Sequence, residues 1–335
     1  MGEGLPGQIL GPRFVLWLAL FVLGGAAIYL GSVVCSGWAQ VAEAFGRIGI
    51  WPLLLAAAVA SLSYLIRFFR WYFILRWMGL KVPVGVNLGI YMSGLALTAS
   101  PGKVGELVRS VLLAPFGVSA RASLAAFLAD RLSDVIGVCF LGASAGWING
   151  TSTPYLSAAL ALLLAGSFAF RRVIQSPRIW ARVDAFLTRH CRWFGRLGCD
   201  ALVDWARVWS LSRVMLFCAV AGVAYGFQAL VFAGLCHALG MTLPLLRAIE
   251  IFVSATLLGA ATGLPGGLGA MEASLVVQLV SQGATSAMAV TAAIATRLAT
   301  LWFGVLIGLG SLLSVVAHLK ALARSAKPPA APVHS

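Results

Sequence analysis

The segment Thr98-Ala-Ser-Pro-Gly-Lys-Val-Gly-Glu-Leu-Val-Arg109 decides how the rest of the chain is arranged. It interrupts a strongly apolar region with a proline, two glycines and three charged residues. A second segment of the same kind, Thr262-Gly-Leu-Pro-Gly-Gly-Leu-Gly-Ala-Met-Glu272, lies far downstream. Broken apolar segments that carry charge at corresponding places in two halves indicate the binding site of a membrane transporter. We therefore expect the two breaks to form one site.

The composition restricts the class of protein. Of the 335 residues, 61% are hydrophobic and only 10% are charged, and the mean hydropathy is +0.96. A soluble fold of this length cannot bury so much apolar surface, so the chain is predicted to be a helical membrane protein. The net charge of +14 would suit nucleic acid in a soluble protein. Here most of the basic residues flank apolar segments and suit anionic headgroups, so we expect no nucleic-acid partner.

The apolar segments predict an all-α, polytopic helical bundle with about six full spans and two re-entrant helical hairpins. The first span covers residues 14–34, and the basic, aromatic run 67–77 is typical of a cytoplasmic interface. Residues 1–335 would form one transmembrane domain. Segment 171–213 has nine arginines and three aspartates, which predicts an amphipathic helix on the cytoplasmic leaflet. Residues 319–335 are expected to be a disordered cytoplasmic tail, with both termini inside.

Two repeats, about 51–147 and about 211–318, are predicted because several motifs recur in the same order. The number of spans between the repeats predicts that they are inverted. One hairpin would then enter the membrane from each face, as in alternating-access transporters. The matching pairs are Pro83 with Pro244, Ser93 with Ser254, Pro101-Gly-Lys-Val-Gly105 with Pro265-Gly-Gly-Leu-Gly269, and Arg131 with Arg297.

Charged residues inside the spans are expensive and therefore mark candidate site residues. With the prolines and glycines of the breaks they form the predicted substrate-binding set; Glu250 is a further charge of the second half. We assign no catalytic residue, no cofactor and no metal ligand, because the cysteines and histidines show no metal-site spacing. The set is Pro101, Gly102, Lys103, Gly105, Glu106, Arg109, Asp130, Arg131, Asp134, Pro265, Gly266, Gly267, Gly269, Glu272 and Arg297.

These charges have two possible roles. One is structural, with ion pairs such as Arg109 with Asp130 and Glu272 with Arg297 that hold each hairpin to the following span. The other is binding of an anionic headgroup, because helices that begin at Pro101 and Pro265 would direct free N–H groups and a positive dipole end at a phosphate.

The chain resembles the flippase-like family known as the lysylphosphatidylglycerol synthase transmembrane region, which includes UPF0104-type inner-membrane proteins. The resemblance implies a lipid-translocation module and covers about residues 10–320. At position 130 the family more often has glutamate. In aminoacyl-lipid synthases a soluble transferase domain follows this module; we see none in these residues, so lipid aminoacylation is not expected. The residues that carry the resemblance are Arg70-Trp71, Pro101-Gly-x-x-Gly-Glu-x-x-Arg109, Asp130-Arg131-x-x-Asp134, Pro265-Gly-Gly-Leu-Gly-x-x-Glu272 and Arg297.

The predicted function is a translocase, not an enzyme, that moves an anionic phospholipid, a polyprenyl-phosphate-linked lipid or a related lipid between leaflets of the bacterial inner (cytoplasmic) membrane. Two alternatives stay open: a membrane-embedded transferase that acts on a lipid-linked substrate, with Glu106, Asp130 and Asp134 as the available carboxylates, and a non-catalytic scaffold for lipid biosynthesis. The expected partners are membrane lipids, a second copy of the chain, or enzymes of lipid biosynthesis.

Overall fold

The computed structural model describes residues 38–98, 108–151, 154–190 and 195–325, together with a few isolated positions between 24 and 34. Within these residues every regular element is a helix or helical turn, which confirms the predicted all-α class. The predicted first span, the break after Thr98 as far as Leu107, and residues 326–335 of the predicted tail lie outside the described residues.

The helices are numbered along the described chain. A 3₁₀ turn, Gly94–Leu97, extends α3, and another, Ala114–Phe116, follows α4. A π turn, Leu298–Trp302, joins α12 to α13 without a break. The bounds are α1 Trp38–Ile48, α2 Ile50–Trp77, α3 Val84–Ser93, α4 Val108–Leu113, α5 Ala120–Ile148, α6 Pro154–Gln175, α7 Pro177–His190, α8 Gly195–Val208, α9 Leu211–Ala238, α10 Leu245–Ala261, α11 Ala270–Ser281, α12 Ser286–Arg297 and α13 Phe303–Ser325.

Four described helices are long and apolar enough to cross a membrane: Ile50–Trp77, Pro154–Gln175, Leu211–Ala238 and the continuous Ser286–Ala321. At 1.5 Å per residue, the 28 residues of α2 reach about 42 Å, which exceeds the roughly 30 Å hydrocarbon core of a bilayer. The 29-residue helix α5 is as long but carries Asp130, Arg131 and Asp134 in its middle.

The local signals that start and end these helices occur twice. Both bounds of α9 lie 161 residues after those of α2, and Gly79 and Gly240 follow the two helices with φ of 79° and 80°. Pro83 and Pro244 then precede α3 and α10 as N-caps. A glycine adopts this left-handed conformation without a Cβ penalty, and proline suits a helix start, so the sequence sets both turns locally.

The side chains that cap α5 and α12 also correspond. Ser119 Oγ accepts a hydrogen bond from Ala122 N at 3.2 Å, and Thr285 Oγ1 accepts one from Met288 N at 3.3 Å. A hydroxyl at the N-cap binds an N–H group that has no partner within the helix. These hydroxyls fix where the two helices begin.

Packing joins the two halves crosswise. The helices α2 and α9 pack against each other, α5 from the first half packs on α10, and α13 from the second half packs on α3. Two glycines permit these contacts: a Cβ on Gly142 would lie 2.5 Å from a Val253 methyl, and a Cβ on Gly308 would lie 2.2 Å from the Ala96 nitrogen. Small residues let membrane helices approach closely.

The basic segment forms two helices, not one. Helix α8 packs on α5 and α6, burying Trp205 and Trp209, and Arg121 Nε on α5 binds Asp204 Oδ2 at 2.8 Å. Protein therefore covers part of the apolar side of α8, while Leu197 is half exposed. Helix α7 is more open, with Ile179 and Phe186 at least half exposed. Its position on the cytoplasmic leaflet stays a prediction. At the other end of the chain, α13 continues to Ser325, so the first residues of the predicted tail are helical.

Candidate functional site

A cluster of charged side chains, all of them buried except the partly exposed Arg131, lies between α2, α4 and α5. We call it the buried ion cluster. Its members are Arg67, Arg70, Arg109, Asp130, Arg131 and Asp134.

Arg70 holds the centre of the buried ion cluster. Its Nε and Nη2 donate to Asp130 Oδ1 at 2.9 and 2.5 Å, and Nη2 also donates to Asp134 Oδ1 at 2.6 Å. Arg131 adds contacts from its Nη2 to Asp130 at 2.6 Å and from its Nη1 to Asp134 at 3.2 Å. The i, i+4 spacing of the two aspartates places both carboxylates on one face of α5, towards α2.

Arg109 lies at the edge of this cluster and is 1% exposed. Its guanidinium carbon is 4.1 Å from the centre of the Tyr91 ring and 5.2 Å from that of Trp71. Its Nη1 is 4.0 Å from Asp130 Oδ2, which confirms the predicted ion pair at the longest distance that counts as one. Gly94 makes room for this side chain, because a Cβ there would lie 2.3 Å from Arg109 Nε.

The described members of the buried ion cluster carry a surplus of positive charge. Four arginines face two aspartates, which leaves a formal charge of two above neutrality. Burial of charge is costly unless it is paired, and Glu106, the carboxylate three residues before Arg109, lies outside the described residues.

The second break contains one tight ion pair. Arg297 Nε donates to Glu272 Oε1 at 2.8 Å, as predicted, and its Nη2 donates to the Gly266 carbonyl. Its Nη1 contacts the Met271 sulfur at 3.4 Å. All three nitrogens of Arg297 therefore have partners, and the side chain ties α12 to the break.

The expectation that a helix begins at Pro265 is wrong. Pro265–Gly267 is a 3₁₀ turn, and α11 begins at Ala270. Gly266, Gly267 and Gly269 all have positive φ, which delays the helix. Glu272 Oε2 accepts from Gly269 N at 2.8 Å, so a carboxylate of the chain itself binds at this helix start, where a phosphate was expected.

A cavity of about 300 Å³ lies between the two halves. Tyr64 from α2 and Tyr225 from α9 line it, and each is the fifteenth residue of its 28-residue helix. The cavity is therefore at mid-length of two spanning helices. Tyr64 Oη donates to the Thr300 carbonyl at 2.5 Å, within the π turn. Turns of this kind occur often at functional sites.

The structure places the predicted residues unequally around this cavity. Pro101, Gly102, Lys103, Gly105 and Glu106 lie outside the described residues. Arg109 and Asp130 belong to the buried ion cluster but do not line the cavity, and Pro265, Gly269 and Glu272 lie in the adjoining second break. The members that line it are Arg131, Asp134, Gly266, Gly267 and Arg297.

Two arginines of the site were predicted from the sequence to lie elsewhere. The run 67–77 was interpreted as an interface, yet Arg67 and Arg70 are 6% and 2% exposed and bind the aspartates of α5. The exposed residues of the run are Phe69, Phe73, Arg76 and Trp77, so Arg76 is its one exposed arginine. A signal was present: Ser63, Tyr64, Arg67, Arg70 and Trp71 recur at helical spacing on one face.

Glu250 does not belong to the site. It accepts from Arg247 Nη1 at 2.7 Å, from Thr151 Oγ1 and from Asn149 Nδ2 at 3.4 Å. Its contacts therefore link α10 to the end of α5.

The chemistry of the cavity suits binding. Guanidinium, phenol and amide groups can hold the oxygens of an anion. Among the described residues, no group of three histidine, cysteine, aspartate or glutamate side chains is placed to hold a metal ion.

Fold and site together define a multi-pass helical membrane protein with charged side chains buried between its helices. A family model described as the lysylphosphatidylglycerol synthase TM region matches residues 16–308, and the chain belongs to this family. A comparison with curated proteins gave no match.

Proposed function

We propose that the protein is a translocase that moves lipids with an anionic headgroup between the leaflets of the bacterial cytoplasmic membrane. In this proposal both termini are cytoplasmic, about six spans and two re-entrant hairpins form an inverted repeat, and the halves alternate access to the cavity. The observation that carries the proposal is the cavity itself, which is at mid-length of α2 and α9 and is lined by arginines from both halves.

The charge and size of the site support an anionic headgroup. Among the residues that the structure describes, Arg67, Arg131 and Arg297 line the cavity with one carboxylate, Asp134. A volume of about 300 Å³ is at the lower end for small-molecule sites. Such a cavity holds a headgroup, while the acyl chains remain among the surrounding apolar helices.

The test is headgroup-resolved lipid movement in proteoliposomes. The purified protein is reconstituted with a panel of labelled phosphatidylglycerol, phosphatidic acid, polyprenyl phosphate and phosphatidylcholine, and the labelled lipid that changes leaflet is measured. Arg131→Gln removes a cation from the cavity and is expected to slow the movement of anionic lipids about tenfold or more. Arg207→Gln is the matched control, because that side chain is 73% exposed on α8, and it should keep the wild-type rate.

Other results would favour the alternatives. A wild-type protein that moves no lipid of the panel would contradict the proposal. Formation of a new lipid product from a lipid-linked donor would indicate a transferase. Absence of both, with a changed lipid composition in cells that lack the protein, would indicate a scaffold.

A further inference from the structure

The three arginines that line the cavity differ in how firmly the protein holds them. Arg297 has a partner at each of its three nitrogens, and Arg131 contacts both aspartates of α5. Arg67 contacts a single carboxylate among the described residues, and the contact is long: its Nη2 is 3.3 Å from Asp134 Oδ2, beyond the usual 2.7–2.9 Å of a charge-assisted hydrogen bond. Its Nε is buried and has no hydrogen-bond partner among the described residues.

We infer that Arg67 is the residue that binds the phosphate of the headgroup and decides that the ligand must be an anion, with Asp134 as the counter-ion that Arg67 exchanges for the phosphate. This inference rests on the proposed function. Arg67 was not among the residues that the sequence predicted for the site.

Asp134 can lose Arg67 without becoming an isolated buried charge. Arg70 Nη2 remains 2.6 Å from Asp134 Oδ1, and Arg131 Nη1 remains 3.2 Å from Asp134 Oδ2. The cost that normally opposes the opening of a buried ion pair is therefore small here. At 3.3 Å the contact between Arg67 and Asp134 is the longest of the three, and in this inference it is the one that opens.

The surroundings keep the Arg67 guanidinium in position. Its carbon lies 5.5 Å from the centre of the Tyr225 ring, within the range of a cation–π contact. Tyr225 belongs to α9, so the second half holds the cation of the first. A planar guanidinium presents parallel N–H groups that match two oxygens of a phosphate.

The corresponding position of the second half lacks a cation. Residue 228, which is 161 positions after Arg67, is a glutamine, and its Nε2 donates to Ser63 Oγ at 3.0 Å. The headgroup therefore meets a cation from α2 beside Tyr225 and, about one turn away beside Ser63, a neutral amide from α9. Removal of the Arg67 side chain is therefore the change that should weaken the preference for an anionic ligand.

The experiment compares Arg67→Gln and Arg67→Lys with Arg76→Gln, a control from the exposed end of the same helix. Binding is measured on the purified protein in a neutral detergent from the shift in melting temperature, with short-chain phosphatidylglycerol, short-chain phosphatidylcholine and inorganic phosphate as probes. Lipid movement is measured on the same variants in proteoliposomes.

The wild type and Arg76→Gln should bind phosphatidylglycerol, and Arg67→Gln should bind it about tenfold more weakly or worse, because a charge-assisted hydrogen bond is lost. Arg67→Lys should recover part of the affinity, because it keeps the charge but not the fork. Binding of phosphate as well as lipid would identify the phosphate group as sufficient; binding of lipid alone would show that the rest of the headgroup is needed.

Wild-type affinity in Arg67→Gln, an equal loss in Arg76→Gln, or no binding of any anionic probe by the wild type would overturn the inference. A different result would contradict the proposed function. If binding depends on Arg67 but no lipid changes leaflet, the inference about Arg67 holds and the proposed translocase function is wrong.

Discussion

Asp130 is completely buried, and arginines from α2, α4 and α5 contact it. Arg70 contacts one carboxylate oxygen at 2.9 and 2.5 Å, and Arg131 contacts the other at 2.6 Å. At the scale of the residue, this carboxylate offsets part of the positive charge of the buried ion cluster. Removal of one partner from a buried ion pair is costly because the remaining charges lose their compensation.

Asp130→Asn should therefore destabilise the protein strongly. The substitution raises the formal surplus of the buried ion cluster from two to three, and we expect a loss of roughly 3–5 kcal/mol. Asp130→Glu keeps the charge and should retain most of the stability. The measurement is thermal unfolding of the purified variants in detergent, with Asp200→Asn on the exposed side of α8 as the control. Equal melting temperatures for Asp130→Asn and the wild type would show that the cluster does not need this carboxylate.

At the scale of the element, α13 depends on one close approach to the turn that follows α3. A Cβ on Gly308 would lie within 2.2 Å of the backbone nitrogen of Ala96, which cannot move as a flexible side chain would. A hydrogen bond from Ser311 Oγ to the Gly89 carbonyl, at 2.9 Å, joins α13 to α3 nearby. Gly310, on the same helix, has no atom within 4 Å of its Cβ position.

Gly308→Ala should separate α13 from the turn, with a cost of about 1–3 kcal/mol from overpacking. Gly310→Ala should be neutral or slightly stabilising, because alanine favours a helix more than glycine does. Each variant adds one methyl group to the same helix, at positions two residues apart, so their melting temperatures can be compared directly. A Gly308→Ala protein as stable as Gly310→Ala would contradict the close contact.

At the scale of the whole molecule, the two halves complete each other. The short helix α10 packs on α5 of the first half, and α3 packs on α13 of the second. The cavity receives residues from both halves. This crosswise packing suits a transporter in which the halves exchange positions around a fixed site.

The inverted repeat can be tested with two matched positions. Lys81 and Thr242 are exposed, lie 161 residues apart and follow α2 and α9 at the same place. Lys81→Cys and Thr242→Cys are each made in a background without the native cysteines, and intact cells are treated with a membrane-impermeant maleimide. We expect labelling of Thr242→Cys from outside and of Lys81→Cys only after permeabilisation. Labelling of both from one side would show that the repeats run in parallel.

The sequence alone determined the all-α class and where several of the helices begin or end. Proline before α3 and α10, glycine after α2 and α9, and hydroxyls at the starts of α5 and α12 act within a few residues of themselves. Such signals can be interpreted without knowledge of the fold. The ion pairs of Arg109 with Asp130 and of Arg297 with Glu272 were also predicted, because charges inside an apolar segment have few possible partners.

Only the tertiary structure decided which side of each helix faces the site. In α2 both sides are apolar, because one contacts protein and the other suits lipid, so hydrophobic alternation could not show that Arg67 and Arg70 point inwards. It likewise took the folded break to show that Glu272 caps α11. Arg67 and Arg70 bind aspartates 60 or more residues away in the chain, so the sequence around them does not encode their partners, whereas Glu272 binds Gly269, only three residues away.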